Sequence, residues 1–523
     1  MRTVKIRLTV ILLAAAAAVF STPQEKLDAL LQENHQRHGL SPVERVSDNA
    51  FLRRAMLDVT GRLPTITEVR KFAADKDGDK RAKLIARLLA SPRFADVTAM
   101  RFADMFRIKS EFPINLWPNA VQSYHRYFRD AVIENRPWNR IARELLTSSG
   151  SNFRVPAANF FRAAAERTPE GLAKVTALSF MGLRTGRLSP GDRAGFAAFF
   201  SRIRFKSTDE WKEEIVFTSP DPVRVLARTP DGKTFDIDAP ATDPRIVFAD
   251  WLTAPGNPFF ARAFVNRVWY WLLGSGLVEP ADDMPLPGGV WSGVFSVFTP
   301  SGDNAGNEKI LDFLAEEFER SGYDIKGLFS LILNSRVYNA DWKTLPAEQE
   351  KAEKCFAVYK MRRLEAELLV DAYSQVLHAH ESYSSVIPEP FTFLPQNTPA
   401  VTIADGSISS RTLDNFGKPS RDAGTLEERN NQITPSQRLF LLNSNWVYQR
   451  TLQLPGRLFQ RRRISDDIRI DELYLAILSR KPTPEEKKIF FAYRKRLPVK
   501  IRGRAWGDLA WCLINTQEFL YHH

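Results

Sequence analysis

Three stretches of the chain place ionisable residues inside otherwise apolar runs, the arrangement in which a side chain acquires a shifted pKa or a buried ion pair. NPFFARAFVNRVWYWLLGSGLVEPADD carries Arg262, Asn266 and Trp269 on one helical face, with Arg267 beside them and Asp282 and Asp283 shortly after. MRRLEAELLVDAY spaces Arg363, Glu367 and Asp371 one helical turn apart. FGKPSRDAGTLEERNN adds Arg421, Glu427, Glu428 and Arg429. Two chemistries suit such a set. Structural ion pairs tying helices together are one. A shared polar cleft is the other, in which Asp282, Asp283, Glu367 or Glu428 serves as acid or base on a glycosidic bond.

Other machineries are excluded by spacing. There is no G-x-S-x-G elbow and no H-E-x-x-H pair among the seven histidines. His378 and His380, two apart, would point about 200° apart on a helix and so make a poor metal pair. DKDGDK has Asp75, Asp77 and Asp79 at alternate positions like the start of a calcium loop. Its glycine comes too early, however, and Ala86 stands where a bidentate glutamate is needed, so it reads as a turn with Asp79 as helix cap. GLRTGRLSPG (182–191) lacks the phosphate-loop spacing and follows a helix rather than a strand. Neither a cofactor nor a metal is expected.

The elements that must hold these residues are mainly helices. Thr65-x-x-Glu68 is a capping box, while Ser91-Pro92 and Ser189-Pro190 are cap and first-turn pairs. Helical periodicity extends over 190–204 and, later, continuously over 346–378. Between 213 and 240 the pattern changes to alternating Val, Ile and Thr around a Pro-Asp-Gly turn, a β-ribbon. Long loops are expected at 280–305 and 382–433. The organisation predicted is a mainly α chain with two helical domains, 22–205 and 243–523, joined by a ribbon at 206–242.

The first 21 residues read as a secretory signal peptide, with Arg2, Lys5 and Arg7 ahead of an apolar run from Val10 to Phe20. No later stretch is apolar enough to span a bilayer. An exported, periplasmic or envelope location follows. Cys355 and Cys512, the only two cysteines, lie in apolar helical contexts and are expected as buried free thiols. The net charge is +12, with clusters at 457–463 and 493–504. A basic exported protein meets anionic polysaccharide, an envelope component or a protein partner. Nucleic acid is disfavoured, because acidic residues are interleaved through the rest of the chain.

Several segments together resemble a planctomycete-type exported family, whose first half is called a cytochrome-like domain and whose second is its partner domain, both of unknown function. They include FLRRAMLDVTGRLPTITEVRKF and PWNRIARELLTSSG, then the 257–283 segment, MRRLEAELLVDAY, FGKPSRDAGTLEERNN and DELYLAILSRKPTPEE. The likeness covers most of 45–523. Members of that family commonly carry Cys-x-x-Cys-His, the chemistry of c-type haem attachment, between a Gly-x-Arg turn and Ala-Ala-Phe-Phe. Here Gly182-Leu183-Arg184 and Ala197-Ala198-Phe199-Phe200 remain, with no Cys or His between them. The family's Cys-x-Cys-Glu-Arg is Thr425-Leu426-Glu427-Glu428-Arg429 in this chain. The resemblance therefore implies two missing thiol sets that serve one place, so residues 184–190 and Thr425 should lie close together. It also implies a cofactor-less binder of a partner or an anionic ligand. A carbohydrate enzyme is the alternative, and electron transfer is opposed by the missing ligands.

Overall fold

The structure, a computed structural model, describes residues 22–41, 43–220, 223–238, 242–285, 305–459 and 464–523. Residues 1–21, on which the signal-peptide expectation rests, the greater part of the 280–305 loop and residues 460–463 of the 457–463 basic cluster lie outside the described residues. Helices start where the caps place them. Thr65 and Glu68 form a reciprocal capping box for Ile66–Ala74. Ser91 caps Pro92–Met105, and Ser189 caps Pro190–Ala197. Asp79 occupies the cap position of Lys80–Leu89 but makes no side-chain capping bond. The described residues hold twenty-three α-helices and only short strands, a mainly α fold.

Three strands lie in the alternating stretch 213–240 and two lie before it, together in two small sheets rather than one ribbon. Ile203–Ser207 and Glu214–Thr218 pair antiparallel, and Gly150–Ser151 adds a third strand to the latter. Val225–Arg228 and Thr234–Ile237 form a hairpin through the Pro-Asp-Gly turn, with Gly232 at φ +89°. The helix expected over 190–204 therefore stops early. A 3-10 turn at Ala198–Phe200 follows, and pairing of Ile203 with Thr218 takes the chain into a sheet.

The continuous helix expected over 346–378 also breaks, into Gln349–Lys354, a strand at Arg362–Arg363 and the helix Ala366–Leu377. The strand pairs with Tyr521–His522 near the C-terminus. Consecutive strand residues point to opposite sides. Arg362 accordingly reaches the buried Asp58 at 2.6 Å, whereas Arg363 bonds the carbonyls of Phe416 and Asn430. Arg363 thus does not share a helical face with Glu367 and Asp371.

The largest apolar core draws on both halves of the chain. Trp138 stacks on Phe264 at 4.2 Å between ring centres and on Phe102 at 5.6 Å, while Phe180 and Phe260 also pack against it. A second core surrounds Ala366–Leu377 and takes in Val447, Ile477 and Ile514 with Leu57 and Leu63 from the first half. Two buried arginines from the helix Asp48–Thr60 fasten the halves through backbone. Arg53 donates to Ile477 O (2.8 Å) and Phe519 O (3.1 Å). Arg54 donates to the Tyr338 and Ala340 carbonyls and stacks over Tyr359 at 3.5 Å.

Candidate functional site

The loop 417–431 is the meeting point of most of the candidate residues. Gly417 (φ +80°) and Gly424 (φ +78°) adopt backbone that other residues avoid, which lets the chain fold back on itself. Glu428 sits at the centre of that turn. Its carboxylate accepts from Ser420 Oγ (2.8 Å) and from the amides of Asp422 (2.9 Å), Ala423 (3.0 Å) and Gly424 (2.8 Å).

Two arginines of the loop dock on an acid from the first half. Arg421 Nε donates to Asp104 Oδ1 at 2.8 Å, and Arg429 Nη2 to Asp104 Oδ2 at 2.6 Å. Arg429 Nη1 also meets Glu367 Oε2 at 2.6 Å. Asp104 is near the end of Pro92–Met105, and Glu367 is in the first turn of Ala366–Leu377, so this triad clamps three elements together. Burial alone would raise the Glu367 carboxyl, but Arg429 overrides it and holds it well below the usual carboxylate range. Lys418, buried near Arg421, is pushed down to about 8 and donates to Gly406 O at 2.7 Å.

Asp282 and Asp283 lie alongside. Arg267 and Asp282 form an ion pair at 2.6 Å with both side chains only 3% exposed, and Asp282 also accepts from the Leu426 amide. Asp283 takes Arg187 at 2.6 Å and the Arg184 amide at 3.2 Å. Arg184 in turn pairs with Glu427 at 2.9 Å. Residues 184–190 and the Thr425 turn are thus neighbours, and Arg184, Thr185, Gly186 and Thr425 line one pocket of about 400 Å³. With neither Cys nor His between Gly182 and Phe200, the residues present do not fit haem attachment by the motif of the resembling family.

The remaining candidates go elsewhere. Arg262 turns outward to pair with Asp312. Asn266 braces a turn, donating to Val278 O (2.8 Å) and accepting from Val278 N (3.2 Å). Arg363 supports the loop from behind through its two carbonyl bonds. Asp371 is on the same helix as Glu367 but lines a different pocket with His378 and His380. It accepts the amides of Ala400 (2.6 Å) and Val401 (3.2 Å), and burial pushes its carboxyl up to about 7. His378 is not inside a helix; it ends one in left-handed backbone at φ +49°. Cys355 is buried as expected, but Cys512 is exposed, and both are unbridged.

Sequence reasoning missed Asp104, Lys418 and Arg107, together with the buried pair of Asp58 and Arg362. One signal was present. Arg101, Asp104 and Arg107 recur every third residue through an aromatic-rich segment, RFADMFR.

The loop forms walls of two further cavities. A cleft of about 760 Å³ is lined by Tyr270, Asp282, Lys360, Arg362, Arg363, Arg429, Asn431, Gln432 and Tyr521, among others. A narrow pocket of about 100 Å³ includes Arg101, Asp104, Arg267, Glu365 and Arg429.

Two family models match the chain. Residues 26–185 match PSCyt2, described as a protein of unknown function (DUF1549), and residues 244–493 match PSD1, likewise a protein of unknown function (DUF1553). The chain is thus similar to two families of unknown function, one after the other. The four strands between Ile203 and Ile237 fall between the matched stretches, while Gly150–Ser151, which pairs with Glu214–Thr218, falls inside the first. No curated protein and no solved structure matches. Among the described residues no helix is long and apolar enough to cross a membrane.

Proposed function

We propose that this protein is an exported binding protein that holds an anionic polysaccharide or envelope component in the cleft beside the 417–431 loop, without turning it over. The observation that carries this reading is the state of the carboxylates. Glu367 is clamped by Arg429, Glu428 accepts four hydrogen bonds, Asp282 is paired with Arg267, and Asp283 with Arg187. A general acid needs a proton to give, and a general base needs a lone pair free to take one. All four are tied into contacts that hold the fold rather than left free in the cleft, which speaks against the glycosidase reading.

The cleft supports a ligand with hydroxyls and negative charge. Lys360 and Arg363 line it without a carboxylate partner among the described residues, beside Arg362 and Arg429, which are paired with Asp58 and with Asp104 and Glu367; Tyr270 and Tyr521 add ring surfaces, and Asn430, Asn431 and Gln432 amides able to pair with hydroxyls. Glu279, Asp282 and Glu427 are also present, but Asp282 and Glu427 are already paired with Arg267 and Arg184.

Affinity electrophoresis of the mature chain through gels containing alginate or dextran tests this. Retardation by alginate, weakening with salt and weakening again in K360E, is expected. Equal retardation by the neutral dextran would overturn the anionic reading. Release of reducing ends that disappears in E367Q would overturn the binding reading in favour of an enzyme. Mass spectrometry of the protein from the periplasmic fraction, with its N-terminus near residue 22, checks the export.

A further inference from the structure

Arg107 is a buried cation without a buried anion. It follows the helix Pro92–Met105 in left-handed backbone (φ +55°) and is 1% exposed. Its Nε donates to Ala163 O at 2.9 Å, and its Nη1 makes longer bonds to Met105 O (3.2 Å) and Ser179 Oγ (3.4 Å). Nη2 has no partner among the described residues, and no carboxylate there pairs with the guanidinium. Glu428 is close enough to be felt, but its oxygens are taken by the loop amides. Burial lowers the Arg107 pKa to about 10, which still leaves the group charged at neutral pH. A desolvated charge with neutral partners only is costly to a fold and is compensated when an anion comes beside it.

Such an anion has a place to sit. Arg107 lines the pocket of about 400 Å³, whose remaining surface is largely apolar through Val175, Leu178 and Leu183. That volume is within the range of small-molecule sites, and an apolar wall with one fixed polar anchor is their usual construction. Of its acids, Asp422 is paired with Lys109 at 2.6 Å, and Glu166 is exposed; Lys174, a cation, is also exposed. We propose that this pocket binds a small carboxylate with an apolar body, its charge facing Arg107 and its body lying against Val175, Leu178 and Leu183. The loop contributes Asp422, Ala423 and Thr425 here, and Leu426, Glu427, Arg429, Asn430 and Asn431 to the proposed polysaccharide cleft, so the two sites share a wall but not a ligand.

Isothermal titration of the mature chain with octanoate and with its neutral counterpart 1-octanol tests this. Octanoate is expected to bind roughly tenfold tighter than octanol or better, about 1.4 kcal/mol. R107M should remove most of that preference, leaving only what the exposed Lys174 supplies. Should R107M fail to fold, K174E, which alters an exposed side chain of the same pocket, should weaken octanoate several-fold and leave octanol unchanged. Equal binding of both ligands by the unaltered protein would overturn the proposal, as would absence of octanoate binding at millimolar concentration. Octanoate affinity indifferent to K174E would do the same. These outcomes are independent of whether alginate is bound.

Discussion

At the scale of single residues, Asp371 makes the plainest claim. Its carboxyl is pushed up by burial to about 7, from the 3.8 of an exposed aspartate. Between those values the folded chain keeps a proton that the unfolded chain releases, so the contribution of Asp371 to stability is full below pH 4. It declines as pH rises to 7 and stays low above that, a swing of up to about 4 kcal/mol. D371N carries no titration. The stability of the native protein minus that of D371N, from urea melts at pH 4 to 8, should therefore fall across that window; a flat difference would refute the shift. The cysteines make a second residue-scale claim. An Ellman's reagent assay on the folded protein should modify Cys512 and spare Cys355, both reacting after denaturation. Although its surface reaches solvent, partial desolvation by its neighbours and the Asp508 carboxylate push the Cys512 thiol up, so its reaction should quicken as pH rises above neutrality.

At the scale of elements, the 417–431 loop behaves as a wedge fixed at both faces. A Cβ on Gly424 would stand 2.7 Å from Met105 O and 3.0 Å from Arg107 Nη1, in backbone with positive φ. G424A should therefore loosen the loop. Hydrogen exchange in peptides covering 418–431 is expected to rise, with a stability loss of about 1–3 kcal/mol. R429M should cost more, about 3–5 kcal/mol, because Glu367 would remain buried without its cation and Asp104 would keep Arg421 alone. Urea denaturation measures this, and adding E367Q to R429M should restore part of the loss. If R429M proved neutral, the clamp would not be holding the elements together.

At the scale of the whole molecule, the two halves share a core and are joined by the Asp104 and Arg53 contacts. A protease site placed in the exposed Pro230–Gly232 turn should accordingly give two fragments that co-elute on gel filtration. They should also unfold in one transition, since the Trp138 ring cluster would lose its Phe264 and Phe260 neighbours if the halves parted. Separate elution of folded fragments would show that each half holds its own core.

The helical character, the caps at Thr65, Ser91 and Ser189 and the strand pattern after 213 were legible because they are local. Each depends on spacing within a few residues, where 3.6-residue and two-residue periods leave a direct trace. The break before Ala366 was not legible, since Arg362–Arg363 becomes a strand only by pairing with Tyr521–His522, some 160 residues away. For the same reason Arg262, Asn266 and Arg363 were grouped with residues they do not join. Ionisable groups in apolar segments are visible in a sequence, but their partners are not. Asp104 meets Arg421 and Arg429 across more than 300 residues, and Arg107 lacks an acid only because of what folds around it. Composition and local pattern settle which elements form and which charges end up inside. Long-range packing alone decides which buried charge is neutralised and which is left facing a cavity, because ion pairing depends on a few ångströms of separation that no linear spacing encodes.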